Sequence, residues 1–158
     1  MNKYDKLAGV GSMKKKIAIV FCVFVLILLS SCSGMLKAKN VDDIKAGLSR
    51  VGYRQDTLAE YRGDLSTIGC VLDNGWTLIF YDYGKDKTSL DNLLKLMDLS
   101  GDTVLTDKGS NYVIYEGMND TNYWMYVRVD NTWLEIFGPN KDKEDIKAFV
   151  AGLGYYKE

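Results

Sequence analysis

Residues 40–158 read as one α+β domain, a mainly antiparallel sheet with three packed helices in the element order αββα-ββββα. Three observations predict this. Asp73-Asn74-Gly75 stands between two apolar stretches, and Asn-Gly is the strongest short hairpin signal because both residues tolerate positive φ. Four further β-rich runs follow one another between residues 103 and 137 with only small or polar turns between them, a spacing that favours antiparallel neighbours. Three separate stretches carry apolar residues at helical spacing.

The first helix begins at Asn40, a capping residue with Asp43 three positions on in a box-like arrangement. Val41, Ile44, Leu48 and Val51 then share one face, and Gly52 can take the left-handed turn that ends it. Tyr53 to Ser66 is polar, weakly patterned and read mostly as loop. Thr67 to Leu72 and Trp76 to Tyr83 form the hairpin around Asn74-Gly75, and their two apolar faces place them inside the sheet. Thr88 and Asp91 open the second helix, with Leu90, Leu93, Leu94 and Met97 at i, i+3, i+4 and i+7. Four strands follow: Thr103 to Thr106, Asn111 to Gly117, Asn122 to Asp130 and Thr132 to Phe137. The last helix starts near Asn140 or Asp142, just past Pro139. It buries Ile146, Phe149, Val150 and Leu153 and stops at Gly154.

Asp43-Ile44-Lys45-Ala46 leading to Gly52-Tyr53 is echoed by Asp145-Ile146-Lys147-Ala148 leading to Gly154-Tyr155, six of eleven positions matching. Duplication and convergence on a capped amphipathic helix both explain the echo. Either way, the two helices are expected to dock alike, each with its Gly-Tyr corner against the sheet.

Ahead of the domain, Lys14, Lys15 and Lys16 precede Ile17 to Leu29, thirteen residues without a charge. That run is too short for a membrane-spanning helix, which needs roughly 17 to 25 residues. A charged start and a short apolar core are the marks of an export signal. It ends in Leu29-Ser30-Ser31-Cys32, which resembles the lipobox of bacterial lipoproteins. The resemblance covers the signal alone and implies nothing about the fold or activity of the rest. It implies cleavage between Ser31 and Cys32 and a diacylglycerol, with fatty acids such as palmitate, on the Cys32 thiol. The chain is then divided into an export signal over 1–31, a lipidated tether over 32–39 and the domain over 40–158. Its place is the extracytoplasmic side of the cell membrane, or the outer membrane where the source has one. Signals normally begin with their charged segment, so Met13 is the expected initiator, with residues 1–12 an over-extended start.

The mature part, Cys32 to Glu158, has 127 residues, with 20 acidic against 15 basic side chains, a net charge of −5. Such a domain lacks the basic footprint of nucleic-acid binding. The sequence holds no histidine, which removes the commonest general base and metal ligand. With Cys22 in the signal and Cys32 lipidated, Cys70 is left as a lone thiol. It can close no internal disulfide and is read as a small buried hydrophobe. No metal or cofactor is expected. Asp82, Asp86 and Asp91 lack the spacing and glycine of a calcium loop and read as turn, cap and surface residues.

One surface stands out. With Asp130-Asn131 as a two-residue turn, Val129 faces Thr132, Val127 faces Leu134 and Met125 faces Ile136, an apolar core side. The opposite face pairs Arg128 with Trp133, Tyr126 with Glu135 and Trp124 with Phe137. A two-residue turn at Asn119-Asp120 would add Tyr115 beside Trp124 and Val113 beside Tyr126. Tyr115, Trp124, Tyr126, Arg128, Trp133 and Glu135 are therefore candidate ligand contacts for a sugar ring or peptide. The competing reading is that a helix covers this face, or that cross-strand aromatic pairs simply stiffen it. The expected role is a non-catalytic binding or structural module at the cell envelope, its partner a membrane through the lipid and an envelope protein, peptide or glycan. The alternatives are a histidine-free, carboxylate-based hydrolase and an accessory subunit of an envelope complex.

Overall fold

Hairpin pairing builds the sheet, as the turn residues dictate. A computed structural model describes residues 35–96 and 102–157. Lys14 to Cys32 lie outside the described residues, and with them the export-signal and lipidation expectations; so does Met97. The strands are β1 Ala59–Tyr61, β2 Ser66–Val71, β3 Thr77–Asp82, β4 Thr103–Lys108, β5 Tyr112–Met118, β6 Asn122–Val129 and β7 Thr132–Pro139. They form one antiparallel sheet in the order β1-β2-β3-β7-β6-β5-β4. Two meanders, β1 to β3 and β4 to β7, thus meet where β3 pairs with β7. Helices α1 (Val41–Val51), α2 (Lys87–Leu96) and α3 (Lys143–Gly152) precede, join and follow the two meanders. The α+β class and its three helices are as the sequence predicts.

The core lies between one face of the sheet and the helices α1 and α3. Ile68, Leu78, Phe80, Ile114, Met125, Val127, Leu134 and Ile136 pack there with Ile44, Leu48, Ile146 and Val150, all fully buried. Each such side chain contributes roughly 1.5–3 kcal/mol of burial free energy. The capping box at α1 is complete: Asn40 Oδ1 accepts from the Asp43 N–H at 2.9 Å, and Asp43 returns a carboxylate to the Asn40 N–H at 3.3 Å. Gly52, Gly75 and Gly154 take the positive φ their turns require.

Several expectations change. Val51, the last residue of α1, is 52% exposed rather than buried with Val41, Ile44 and Leu48. The stretch expected as loop holds a 3₁₀ turn at Gln55–Thr57 and the edge strand β1. That strand is fully exposed and carries no alternating pattern; it is held by backbone pairing to β2, and its Glu60 reaches Lys45 on α1 at 2.6 Å. Helix α2 is capped by Asp86, whose carboxylate takes the Ser89 N–H, rather than by Thr88. The two Gly-Tyr corners also differ. Tyr155 is fully buried, with its hydroxyl 2.7 Å from Thr132 Oγ1, whereas Tyr53 is half-buried and bridges Leu72 at the sheet margin.

The segment read as a free tether is partly built into the domain. Leu36 is buried in the core, its N–H donating to Asn111 Oδ1 at 3.3 Å and its carbonyl accepting from Asn111 Nδ2 at 2.8 Å. The Lys39 N–H donates to the Tyr155 hydroxyl at 3.1 Å. One amide side chain therefore holds both backbone groups of Leu36, as a neighbouring strand would.

Between the core face and α3 lies a polar knot. Glu116 is buried, and Lys147 Nζ approaches its Oε2 at 2.8 Å. Tyr123 donates to the same oxygen at 2.8 Å and Thr106 to the other at 2.9 Å. Among the described residues no buried side-chain nitrogen or oxygen is left without a partner, and the carboxylate joins β4, β5 and β6 to α3.

Cys70 is buried on the core face of β2, and burial pushes its thiol above the ordinary value. A thiol held protonated and out of solvent is a poor nucleophile. In a protein carrying both Cys22→Ala and Cys32→Ala, Ellman's reagent should modify Cys70 only after denaturant is added; rapid labelling of that folded protein would contradict this burial.

Candidate ligand face of the sheet

Successive strand residues alternate sides, so the odd positions of β3 and β7 and the even positions of β6 share the face turned away from α1 and α3. The β7–β6 register follows the sequence expectation: Arg128 opposes Trp133, Tyr126 opposes Glu135 and Trp124 opposes Phe137. The β5–β6 register does not. Tyr115 lies opposite Tyr126, Val113 opposite Arg128 and Gly117 opposite Trp124. The turn is centred on Asp120-Thr121 instead of Asn119-Asp120: the Asn119 N–H donates to the Asn122 carbonyl at 2.9 Å, and Asn119 Oδ1 collects the N–H groups of Thr121 and Asn122. A shift of two keeps Tyr115 on the expected side.

The six candidates divide into three groups. Trp133 is fully buried beneath α2, in a cluster with Leu90 and Tyr83, so it cannot meet a ligand itself. Here the helix-covering reading holds. Arg128 is committed as well, its Nη1 2.8 Å from Asp91 Oδ1 on α2 and its Nε donating to the Asp130 carbonyl at 3.0 Å. Asp91 is thus an ion-pair partner rather than a free surface acid. Trp124 lies over Gly117, where a Cβ would overlap the indole, and its N–H donates to Thr103 Oγ1 at 2.9 Å. Tyr115 packs at the edge of the Trp133 cluster. Tyr126 and Glu135 remain side by side at the centre.

Tyr126 stacks on Trp133, with ring centroids 5.7 Å apart and planes at 16°, and meets Phe137 edge-on at 5.7 Å and 76°. These contacts fix its ring. Glu135 is half-buried, and Oε1 accepts the Trp133 indole N–H at 2.7 Å. Burial pushes its carboxyl above the usual range, and the indole hydrogen bond pulls the other way without cancelling it. Tyr81, Tyr83 and Tyr126 are raised too, by burial first and also by the negative charge on Glu135.

Ile79 and Tyr81 complete the surface, because β3 lies on the other side of β7: Ile79 faces Glu135 and Tyr81 faces Trp133. Sequence reading missed both. Nothing local announces that a strand near residue 80 pairs with one near residue 135. The apolar odd positions of β3 were the one available signal, and they fit any interior strand.

No family model matches the chain, and no curated protein matches it. Among solved structures, the chain is similar to a crystal structure of a GTP binding regulator from Thermotoga maritima. The two share 16% identity, with 76% of this chain and 91% of that one covered and a TM-score of 0.49.

Proposed function

We infer that the protein is a cell-envelope lipoprotein, anchored by lipid on Cys32, whose α+β domain is a non-catalytic binding module. The observation that supports the module is the second face of the sheet. Helix α2 covers one end of it, while Tyr126, Phe137, Ile79 and Tyr81 stay half-exposed around Glu135. Rigid aromatic rings beside a polar group are what a ligand platform needs. Leu29-Ser30-Ser31-Cys32 supports the location. Two or more acyl chains hold a protein on a bilayer far more durably than one.

The anchor is tested by expressing the full chain and its Cys32→Ala variant in a bacterium and comparing intact mass and membrane fractionation. The expected wild type is membrane-bound, lacks residues 1–31 and is heavier than its mature sequence by its acyl chains. The variant is expected to remain an unprocessed precursor. If the two proteins fractionate alike and neither carries added mass, the anchor and the location are wrong.

A further inference from the structure

We propose that the face around Glu135 binds a small organic cation, an ammonium group bearing apolar substituents, with the carboxylate as counter-ion and the aromatic rings as walls. This rests on the reading of that face as a ligand platform and names the ligand class it takes.

The strand register sets out the site as a grid. Thr77, Ile79 and Tyr81 on β3 oppose Phe137, Glu135 and Trp133 on β7, which in turn oppose Trp124, Tyr126 and Arg128 on β6. Glu135 occupies the centre. Its nearest neighbours are Ile79, Tyr126, Trp133 and Phe137, three of them aromatic. A carboxylate so placed has lost much of its water, and in ordinary folds such a group gains a basic partner. This one has none among the described residues. Arg128, at the corner of the grid, is drawn off by Asp91 and the Asp130 carbonyl. Among the described residues, the one hydrogen bond to the Glu135 carboxylate comes from a neutral indole and engages Oε1. Among the described residues Oε2 has no hydrogen-bond partner, and it is not a sealed, unsatisfied atom. It reaches solvent.

Those features select the occupant. An anion would meet the Glu135 charge. A neutral apolar ligand would cover Oε2 and remove its remaining water without replacing it. A quaternary or substituted ammonium supplies the missing positive charge, and its alkyl groups suit the faces of Tyr126, Phe137 and Tyr81 through cation–π attraction. It also needs no second acceptor, which matters because Oε1 is already taken.

The charge of the site follows from its surroundings. Tyr81 faces Glu135 from β3, Tyr83 from just past its end, Tyr126 from β6 and the Trp133 indole from its own strand, with the Arg128–Asp91 pair beyond. The tyrosines stay neutral over the range in which Glu135 titrates. Cation binding is therefore strongest above the raised Glu135 pKa and fades as pH falls through it.

The test titrates choline chloride into the detergent-solubilised full chain, follows tryptophan fluorescence and heat, and repeats both with Glu135→Gln. The glutamine keeps an oxygen for the Trp133 N–H, and a thermal melt at least as high as wild type confirms that it folds. Saturable choline binding is expected, with affinity falling about tenfold or more in E135Q. The neutral isostere 3,3-dimethyl-1-butanol is expected to show no saturation. Equal choline binding by wild type and E135Q, or equal binding of the isostere, overturns the cation site. Triacetylchitotriose binding equally to both proteins, with no choline binding, would overturn the cation and leave the platform standing. Binding of none of the three would take both down.

Discussion

Lys147→Met is expected to lower the stability of the domain by about 3 kcal/mol or more near neutral pH, and by less in acid. The Lys147 and Glu116 side chains are only 17% and 9% exposed, and removing the ammonium leaves a buried carboxylate facing two neutral hydroxyls. In the wild type, burial pushes Glu116 upward. The hydrogen bonds from Lys147, Tyr123 and Thr106, with the lysine charge, outweigh it and hold the carboxyl below its ordinary 4.5. A group depressed on folding stabilises the fold above its unfolded pKa, and that contribution is lost as pH falls through the folded value. In the variant the sign reverses. Glu116 then titrates above its unfolded value, so acid relieves the penalty. Urea unfolding of both proteins at about pH 7 and about pH 4 reads this directly, since the gap between them should narrow in acid. A gap that is small at both values would mean that Glu116 is not desolvated.

Trp133→Ala is the second large effect, a loss of about 3–5 kcal/mol. The side chain is fully buried between α2 and the sheet, stacked on Tyr126 and joined to Glu135. Leu90 and Tyr83 are the other buried members of that cluster, with Leu94 packed beside them, and together with the Asp91–Arg128 ion pair they hold α2 on the sheet. The expected signature is local. Hydrogen exchange should lose protection across α2 while α1 and α3, docked on the opposite face, keep theirs. Uniform loss of protection, or a change below about 1 kcal/mol, would show that α2 does not depend on this contact.

Local chemistry carried the fold as far as local chemistry reaches. The Asn40 cap, the Asn74-Gly75 turn and the helical spacing of Ile146 and Val150 all act within a few residues, and each was legible. The β6–β7 register was legible too, because its tight turn fixes every later pair. The β5–β6 register was missed because Asn119 folds its side chain back on the loop, a choice decided by hydrogen bonding and invisible in composition. The same limit applied to the site. Tyr126 and Glu135 could be placed together across one hairpin. That Trp133 would be roofed over by α2, and that Ile79 and Tyr81 would join from β3, depends on how two meanders meet. Strand β1 was hidden for a different reason. An exposed edge strand needs no apolar pattern and so leaves none.

On the proposed anchor, the hold of Asn111 on Leu36 limits how far the domain can stray from the bilayer. Were residues 33–39 all slack, a lipidated Cys32 would give the domain a leash of some seven residues and freedom to roll. With Leu36 pinned at both its N–H and its carbonyl, four peptide units remain, and they span at most about 14 Å. That is only a little beyond the Debye length of about 8–10 Å at ordinary ionic strength. On the proposed anchor, the domain rides at a nearly constant height, like a buoy on a short chain. It samples solutes from the thin layer next to the headgroups and turns a limited range of its surface toward them.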